Sequence, residues 1–255
     1  MSAAVYARWN QGGHGGLWGR VEGARVRPLA QAPWLGEQPL PGAQALALAG
    51  LPLMAPCSPS KIVAVGVNYR DHALEMGHTL PAEPLLFLKP PSALAHPGQP
   101  IRLPAVSKRV DHEAELAFVV GRRVGPGMPA QGAIFGYTCA NDVTARDLQK
   151  ADGQWARAKG FDTFCPAGPF LVAGADVEEA AIVCRVNGQE RQKSSTAQLI
   201  FKPQQILEAI ASVMTLEPGD LVLTGTPGGI SPLLPGDVVE VFVHGVGSLV
   251  NPVAR

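Results

Sequence analysis

The chain has 255 residues, 46% of them hydrophobic and 16% charged, proportions that exclude a disordered or fibrous protein and suit a compact globular one. Lysine plus arginine equals aspartate plus glutamate at 21 each, so no basic face is expected for nucleic acid or an anionic membrane. An acidic ligand would have to be held by a few local cations.

No apolar run has transmembrane length, and MSAAVYARWNQGGHGG lacks the basic-then-apolar order of a signal peptide. Cys57, Cys139, Cys165 and Cys184 are scattered, without disulfide-framework or zinc-ligand spacing. A soluble, cytoplasmic, reduced protein is expected, with no nucleic-acid or membrane partner.

Residues 1–55 read as a small β domain and linker. They hold the weak strands AVYARW, LWGRVEG and ARVRPL, then a stretch rich in Pro, Ala and Leu. Residues 56–255 read as the main domain, a mixed β core with few helices, since Gly and Pro are frequent and β-branched runs are short. KIVAVGV is the first of these strands. In the following helical pattern, YRDHALEMG, His72 and Glu75 are three residues apart and share a face. A carboxylate beside an imidazole fixes its tautomer and raises its basicity, which builds a general base. The plainer alternative is a surface histidine beside a surface glutamate.

VDHEAELAFVV reads as one strand, residues 110–120. Alternation puts Glu113 and Glu115 on one face with Ala117 and Val119, and His112, Ala114, Leu116 and Phe118 on the other. Two like charges ~7 Å apart beside apolar surface cost roughly several kcal/mol unless something cancels them. In GYTCANDVTARDLQ a strand ends near Asn141-Asp142 and VTARDLQ begins a helix. Glu113, Glu115 and Asp142 would then offer three oxygen ligands to a hard cation such as Mg²⁺, Mn²⁺ or Ca²⁺. Pairing of the glutamates with Arg122, Arg123 or Arg146 is the alternative.

Lys159, in WARAKGFDTFCP, is either a partly buried cation that neutralises an oxyanion or carboxylate, or an ordinary solvated lysine. AIVCRVNGQ carries an Asn-Gly hairpin signal, and FKPQQILEAIASVM has helical spacing. LTGTPGGI lacks a Lys-Ser/Thr after its glycines, so it reads as a strand and tight turn rather than a phosphate loop, with Thr226 placed to reach a ligand.

Taken together, KIVAVGVNYRDHALEMG, EPLLFLKPPSAL, DHEAELAFVVGRR, GYTCANDVTARDLQ, AKGFDTFCPAGPF, VNGQERQ and EPGDLVLTGTPGGI resemble the fumarylacetoacetate hydrolase family, from about Lys61 to Val253. The resemblance implies a mainly β (α+β) fold, a mixed β-sandwich roll with a small N-terminal β appendage, forming a homodimer. It implies Mg²⁺ or Mn²⁺, with Ca²⁺ as a substitute, on Glu113, Glu115 and Asp142. His72 and Glu75 would be the base dyad, Lys159 the oxyanion lysine, and Arg146, Gln149 and Thr226 the substrate contacts.

The implied activity is on small anionic 2-oxo or β-diketo acids through a stabilised enolate, within aromatic-compound breakdown or central-metabolite clean-up. The first expectation is an isomerase acting on 2-hydroxyhepta-2,4-diene-1,7-dioate or an acylpyruvate hydrolase. An oxaloacetate decarboxylase or tautomerase is the alternative, and a non-catalytic binding protein on the same scaffold the competitor. Two positions depart from the family pattern: His112 stands where many members have tyrosine, and Lys193 is read as a possible contact to a second substrate carboxylate.

Overall fold

The computed structural model describes residues 3–10, 16–71 and 79–255. The first strands are β1 (Ala4–Trp9), β2 (Leu17–Glu22), β3 (Arg25–Leu29), β4 (Leu46–Ala47) and β5 (Leu53–Met54). Then come β6 (Ile62–Gly66), β7 (Leu85–Lys89), β8 (Leu94–Ala95), β9 (Ile101–Arg102), β10 (Val110–Asp111), β11 (Ala114–Val120), β12 (Ile134–Asn141) and β13 (Thr144–Ala145). Two short helices, α1 (Arg146–Asp152) and α2 (Ala156–Lys159), lead to β14 (Cys165–Ala173). The chain closes with β15 (Ala181–Val186), β16 (Gln189–Ser195), α3 (Pro203–Val213), β17 (Leu221–Leu223), β18 (Val238–Val243) and β19 (Gly247–Ala254).

A twelve-stranded sheet runs β4-β3-β2-β1-β14-β12-β11-β17-β6-β7, with β5 on β1 and β8 on β14. A five-stranded sheet runs β16-β15-β18-β19-β9. Pairing is mostly antiparallel, but β17–β6, β14–β8 and β19–β9 are parallel. This is the mainly β, mixed-sheet α+β fold expected. Strand β1 pairs with β14 from Ala4↔Ala173 to Ala7↔Phe170, so strands β1 to β5 continue the large sheet.

Alternation along β11 organises the interior. Ala114 and Leu116 pack under the small sheet with Ile182, Val241 and Leu249. Phe118 and Val120 continue that face beneath α3, where Ile206 and Leu207 share a face with Ile210 one turn on, all three fully buried. Burying each such side chain contributes about 1.5–3 kcal/mol. Helix α3 starts cleanly because Pro203 needs no N–H partner there and the Gln205 side chain accepts the Lys202 N–H at 2.8 Å. The opposite face of β11 buries Ala117 and Val119 against Ile62, Ala64 and Leu171. That face also carries the two glutamates.

The β15–β16 hairpin turns on Asn187 (φ 53°) and Gly188 (φ 77°), the left-handed pair that a two-residue hairpin demands. Two boundaries differ from the sequence reading. Residues 110–120 form two strands, because the His112 N–H donates to Ser231 O (3.3 Å) and the Glu113 N–H to the Asn141 side chain (2.9 Å). The helix after Asp142 begins at Arg146, since Thr144 and Ala145 pair with β10. Among the described residues no helix is long and apolar enough to cross a membrane.

Candidate active site

The carboxylates converge where β11 begins and β12 ends. These strands are antiparallel, with Ala114 opposite Asn141, and the Asp142 N–H donates to Glu113 O at 2.9 Å. Glu113 and Glu115 therefore emerge on one face beside Asp142. One oxygen from each lies within 4.8 Å of the others, and all three residues are buried. Glu115 Oε2 accepts the Gly225 N–H at 2.5 Å. Gly225 has φ +99°, and a Cβ there would lie 2.7 Å from the Asn68 Cβ, so only glycine delivers this donor without strain.

Three cations face the carboxylates. Lys159, the last residue of α2, donates from Nζ to Glu113 Oε2 (2.8 Å) and Asp142 Oδ2 (2.5 Å), and sits 5.2 Å from the Phe87 ring centre. Lys89, from β7, reaches Asp142 Oδ1 at 2.6 Å and is only 1% exposed. Arg146, the first residue of α1, donates from Nη2 to Glu113 Oε1 (2.5 Å), from Nη1 to Gln149 Oε1 (2.7 Å), and from Nε to Asp111 Oδ2 (3.0 Å). Asp111 is fully buried and is also gripped by Arg109.

The two glutamates differ electrostatically. Burial pushes the Glu113 carboxyl up, but the Lys159 and Arg146 charges and hydrogen bonds outweigh it and hold the pKa down at about 2. Burial pushes Glu115 well above the usual carboxylate range, and the Asp142 and Glu113 charges push it further. For Lys159, burial works against the ammonium, yet Asp142 and Glu113 raise its pKa above the ordinary value.

These groups open into a pocket of about 250 Å³, with Glu113, Glu115, Asp142, Arg146, Gln149, Lys159 and Thr226 in its wall. Val65, Phe87, Trp155 and Ile230 form the apolar remainder, which limits water around the charges. Gly66 permits this shape, since a Cβ there would lie 2.6 Å from the Trp155 ring.

The structure thus brings seven of the nine residues singled out from sequence to one pocket. His72 and Glu75 lie outside the described residues. Of the three arginines considered as alternative partners, Arg146 meets a glutamate of the pair. Arg122 binds the Pro129 and Gln131 carbonyls, and Arg123 pairs with Glu217. His112 faces away from the glutamates, toward Gln192 and Ser231. Lys193 is exposed beside Glu190 and lines no part of the pocket, because alternation on β16 turns it to solvent while Gln192 points in.

Sequence reasoning missed Lys89, Asp111 and Gln192. Their signal is faint. Lys89 ends an apolar run, LLFLK, where alternation puts it on the Phe87 face, and Asp111 lies two residues before Glu113 on the same strand-like face.

Three crowded carboxylates, one of them held well above the usual range by burial and by the charges of the other two, suit a hard divalent cation, so the residues fit Mg²⁺, Mn²⁺ or Ca²⁺. Residues 61–254 match the family model "Fumarylacetoacetate (FAA) hydrolase C-terminal". A Mycobacterium tuberculosis protein is 49% identical over 213 residues, 82% of this chain and 80% of its own length. Oxaloacetate tautomerase fahd2, mitochondrial, of Xenopus laevis is 43% identical over 224 residues, 82% of this chain and 70% of its own. The crystal structure of 5-carboxymethyl-2-hydroxymuconate delta-isomerase from Mycobacterium smegmatis superposes with a TM-score of 0.89 at 41% identity, covering 99% of both chains. The chain belongs to the fumarylacetoacetate hydrolase family.

Proposed function

We propose that the protein is a divalent-metal-dependent enzyme that moves a proton between carbon and oxygen on small dianionic 2-oxo acids, as an isomerase or tautomerase. The observation that carries this reading is the buried cluster of Glu113, Glu115 and Asp142 facing Lys159 and Arg146 in one pocket, with Lys89 bonded to Asp142 from outside the pocket wall. With Asp111 and its partner Arg109 counted as well, four carboxylates and four cations cancel, so a divalent cation leaves two positive charges for the ligand to balance. A dianion balances them and a monoanion does not. Two of the relatives, the tautomerase and the isomerase, are named for proton-shift reactions. Decarboxylation and acylpyruvate-type hydrolysis pass through the same kind of enolate and are the second reading.

Glu113, Glu115 and Asp142 would hold the cation. Bound there, it supplies Lewis-acid stabilisation of the negative charge that develops on the substrate oxygen. Arg146 and Gln149 present N–H groups to a substrate carboxylate. Lys159 keeps an ammonium beside the developing charge and is oriented for it by Glu113 and Asp142. Phe87 and Trp155 keep bulk water out, which strengthens each of these contacts. His72, with Glu75, is assigned the general base that carries the proton, on the family resemblance.

A homodimer is part of the same reading, supported by the exposed Leu85 and Leu88 on edge strand β7 beside the pocket. Turnover of enol-oxaloacetate, a 2-hydroxydienedioate, acetylpyruvate and fumarylpyruvate, with Mg²⁺ or Mn²⁺ and again in excess EDTA, tests the function. Metal-dependent isomerisation of a dianion above the others is the expected result. Metal-dependent hydrolysis of acetylpyruvate as the fastest reaction would replace it with the second reading, and no turnover with metal bound would favour a binding role.

A further inference from the structure

The hydrogen bonds around Thr226 have only one consistent assignment. The Ala114 N–H donates to Gln192 Oε1 at 3.0 Å, and Gln192 Nε2 lies 2.7 Å from the Pro227 carbonyl oxygen, which can only accept. The carboxamide can therefore face only one way. His112 agrees, since its Nδ1 lies 3.0 Å from the same Oε1 and its Nε2 meets the Ser231 hydroxyl at 2.8 Å. The other N–H of Gln192 then donates to Thr226 Oγ1 at 2.8 Å. Thr226 Oγ1 is itself 2.9 Å from the Ala114 carbonyl oxygen, again an atom that can only accept. The threonine proton is committed there.

Among the described residues Thr226 has one lone pair left, and Thr226 lines the pocket. A hydroxyl in a pocket wall can offer its proton to a carboxylate, but this one has none to offer. Gln149 has the opposite polarity. Its Oε1 accepts from Arg146 at 2.7 Å, and its NH₂ group has no other partner among the described residues. The pocket thus has a donor wall at Gln149 and Arg146 and an acceptor at Thr226. An oxygen without a proton, placed against Thr226, would face lone pair to lone pair in a buried setting.

We propose that Thr226 is a specificity residue that accepts a hydrogen bond from a hydroxyl of the ligand, so that the site selects the enol or alcohol form of the acid over one presenting only carboxylate or keto oxygens there. Gln192 is the positioning residue that fixes this polarity. The inference rests on the reading above that the pocket takes small metal-chelating acids. A site built to hydrogen-bond a ligand hydroxyl rejects the analogue that lacks it, because the protein group is left unpaired.

Calorimetric binding of malonate and 2-hydroxymalonate, which differ by one hydroxyl, tests this in the presence of Mg²⁺. Thr226→Val should weaken 2-hydroxymalonate about fivefold to tenfold, one buried hydrogen bond. Malonate binding should change by less than about twofold, and Thr226→Ser should retain the wild-type preference. If Thr226→Val folds poorly, Thr226→Ala carries the same comparison. Equal weakening of both ligands, or weakening of malonate alone, overturns the proposal while leaving the functional reading intact. Wild-type protein that binds neither ligand overturns the functional reading, and the proposal with it.

Discussion

Lys89 offers a direct measure of how the buried charges are balanced. Its ammonium is 1% exposed, its carboxylate partner Asp142 is 1% exposed, and they are 2.6 Å apart. Lys89→Met keeps most of the side-chain length and removes the charge. Removing one partner of a buried pair costs about 3–5 kcal/mol, because the other charge stays behind. Asp142 keeps Lys159 at 2.5 Å, so the lower end, about 3 kcal/mol, applies. For a domain of this size each kcal/mol lowers Tm by about 2–4 °C, so Tm should fall by about 6–12 °C in EDTA. Mg²⁺ should then raise the Tm of Lys89→Met by more than that of the wild type, since Asp142 has one ammonium fewer. Melting by calorimetry or circular dichroism reads both quantities. A variant that melts within about 2 °C of wild type in EDTA would refute the pair as a stabilising contact.

Glu115 must lose its proton to bind a cation, so the Tm increment from Mg²⁺ should grow as pH rises from the ordinary carboxylate range. Without metal, its raised pKa means that the folded state holds the proton more tightly than the unfolded state. That contribution to stability is complete at low pH and is lost as pH rises through the folded value. A Mg²⁺ increment in melts that is flat or shrinks between pH 5 and about 8 would contradict this. Gly66→Ala places a methyl group 2.6 Å from the Trp155 ring and should cost about 1–3 kcal/mol through overpacking. Unchanged Tm and unchanged tryptophan fluorescence would count against that packing. His72→Ala should keep Mg²⁺ and oxalate binding and lose turnover; undiminished turnover would remove His72 from the role of base.

The carboxylate-bearing face was legible because strand alternation is local. Glu113 and Glu115 share a face in any extended conformation, and Asp142 announced itself at a strand end before a helical pattern. The hairpin at Asn187-Gly188 and helix α3 were legible for the same reason, each being set by a few adjacent residues.

Long-range pairing was not. Nothing in AVYARW says that β1 will pair with β14 more than 160 residues later, as Ala4↔Ala173 shows, and so bring β2, β3, β4 and β5 into the main sheet. The split of residues 110–120 depends on Ser231 and Asn141, partners that no local pattern reveals. Lys89 was missed because a lysine at the end of an apolar run is ordinarily solvated, and only the approach of β7 to Asp142 buries it. Arg146 was weighed both as a partner for the glutamates and as a substrate contact. It pairs with Glu113 and Asp111 and lines the pocket as well.

The central claim is a divalent-metal centre on Glu113, Glu115 and Asp142, and calorimetric titration of Mg²⁺ or Mn²⁺ into wild-type protein, Glu113→Gln and Asp142→Asn tests it most directly. The expected result is one site per chain in the wild type and loss of binding in both variants. Tight binding retained in both variants, or none in the wild type, would contradict it.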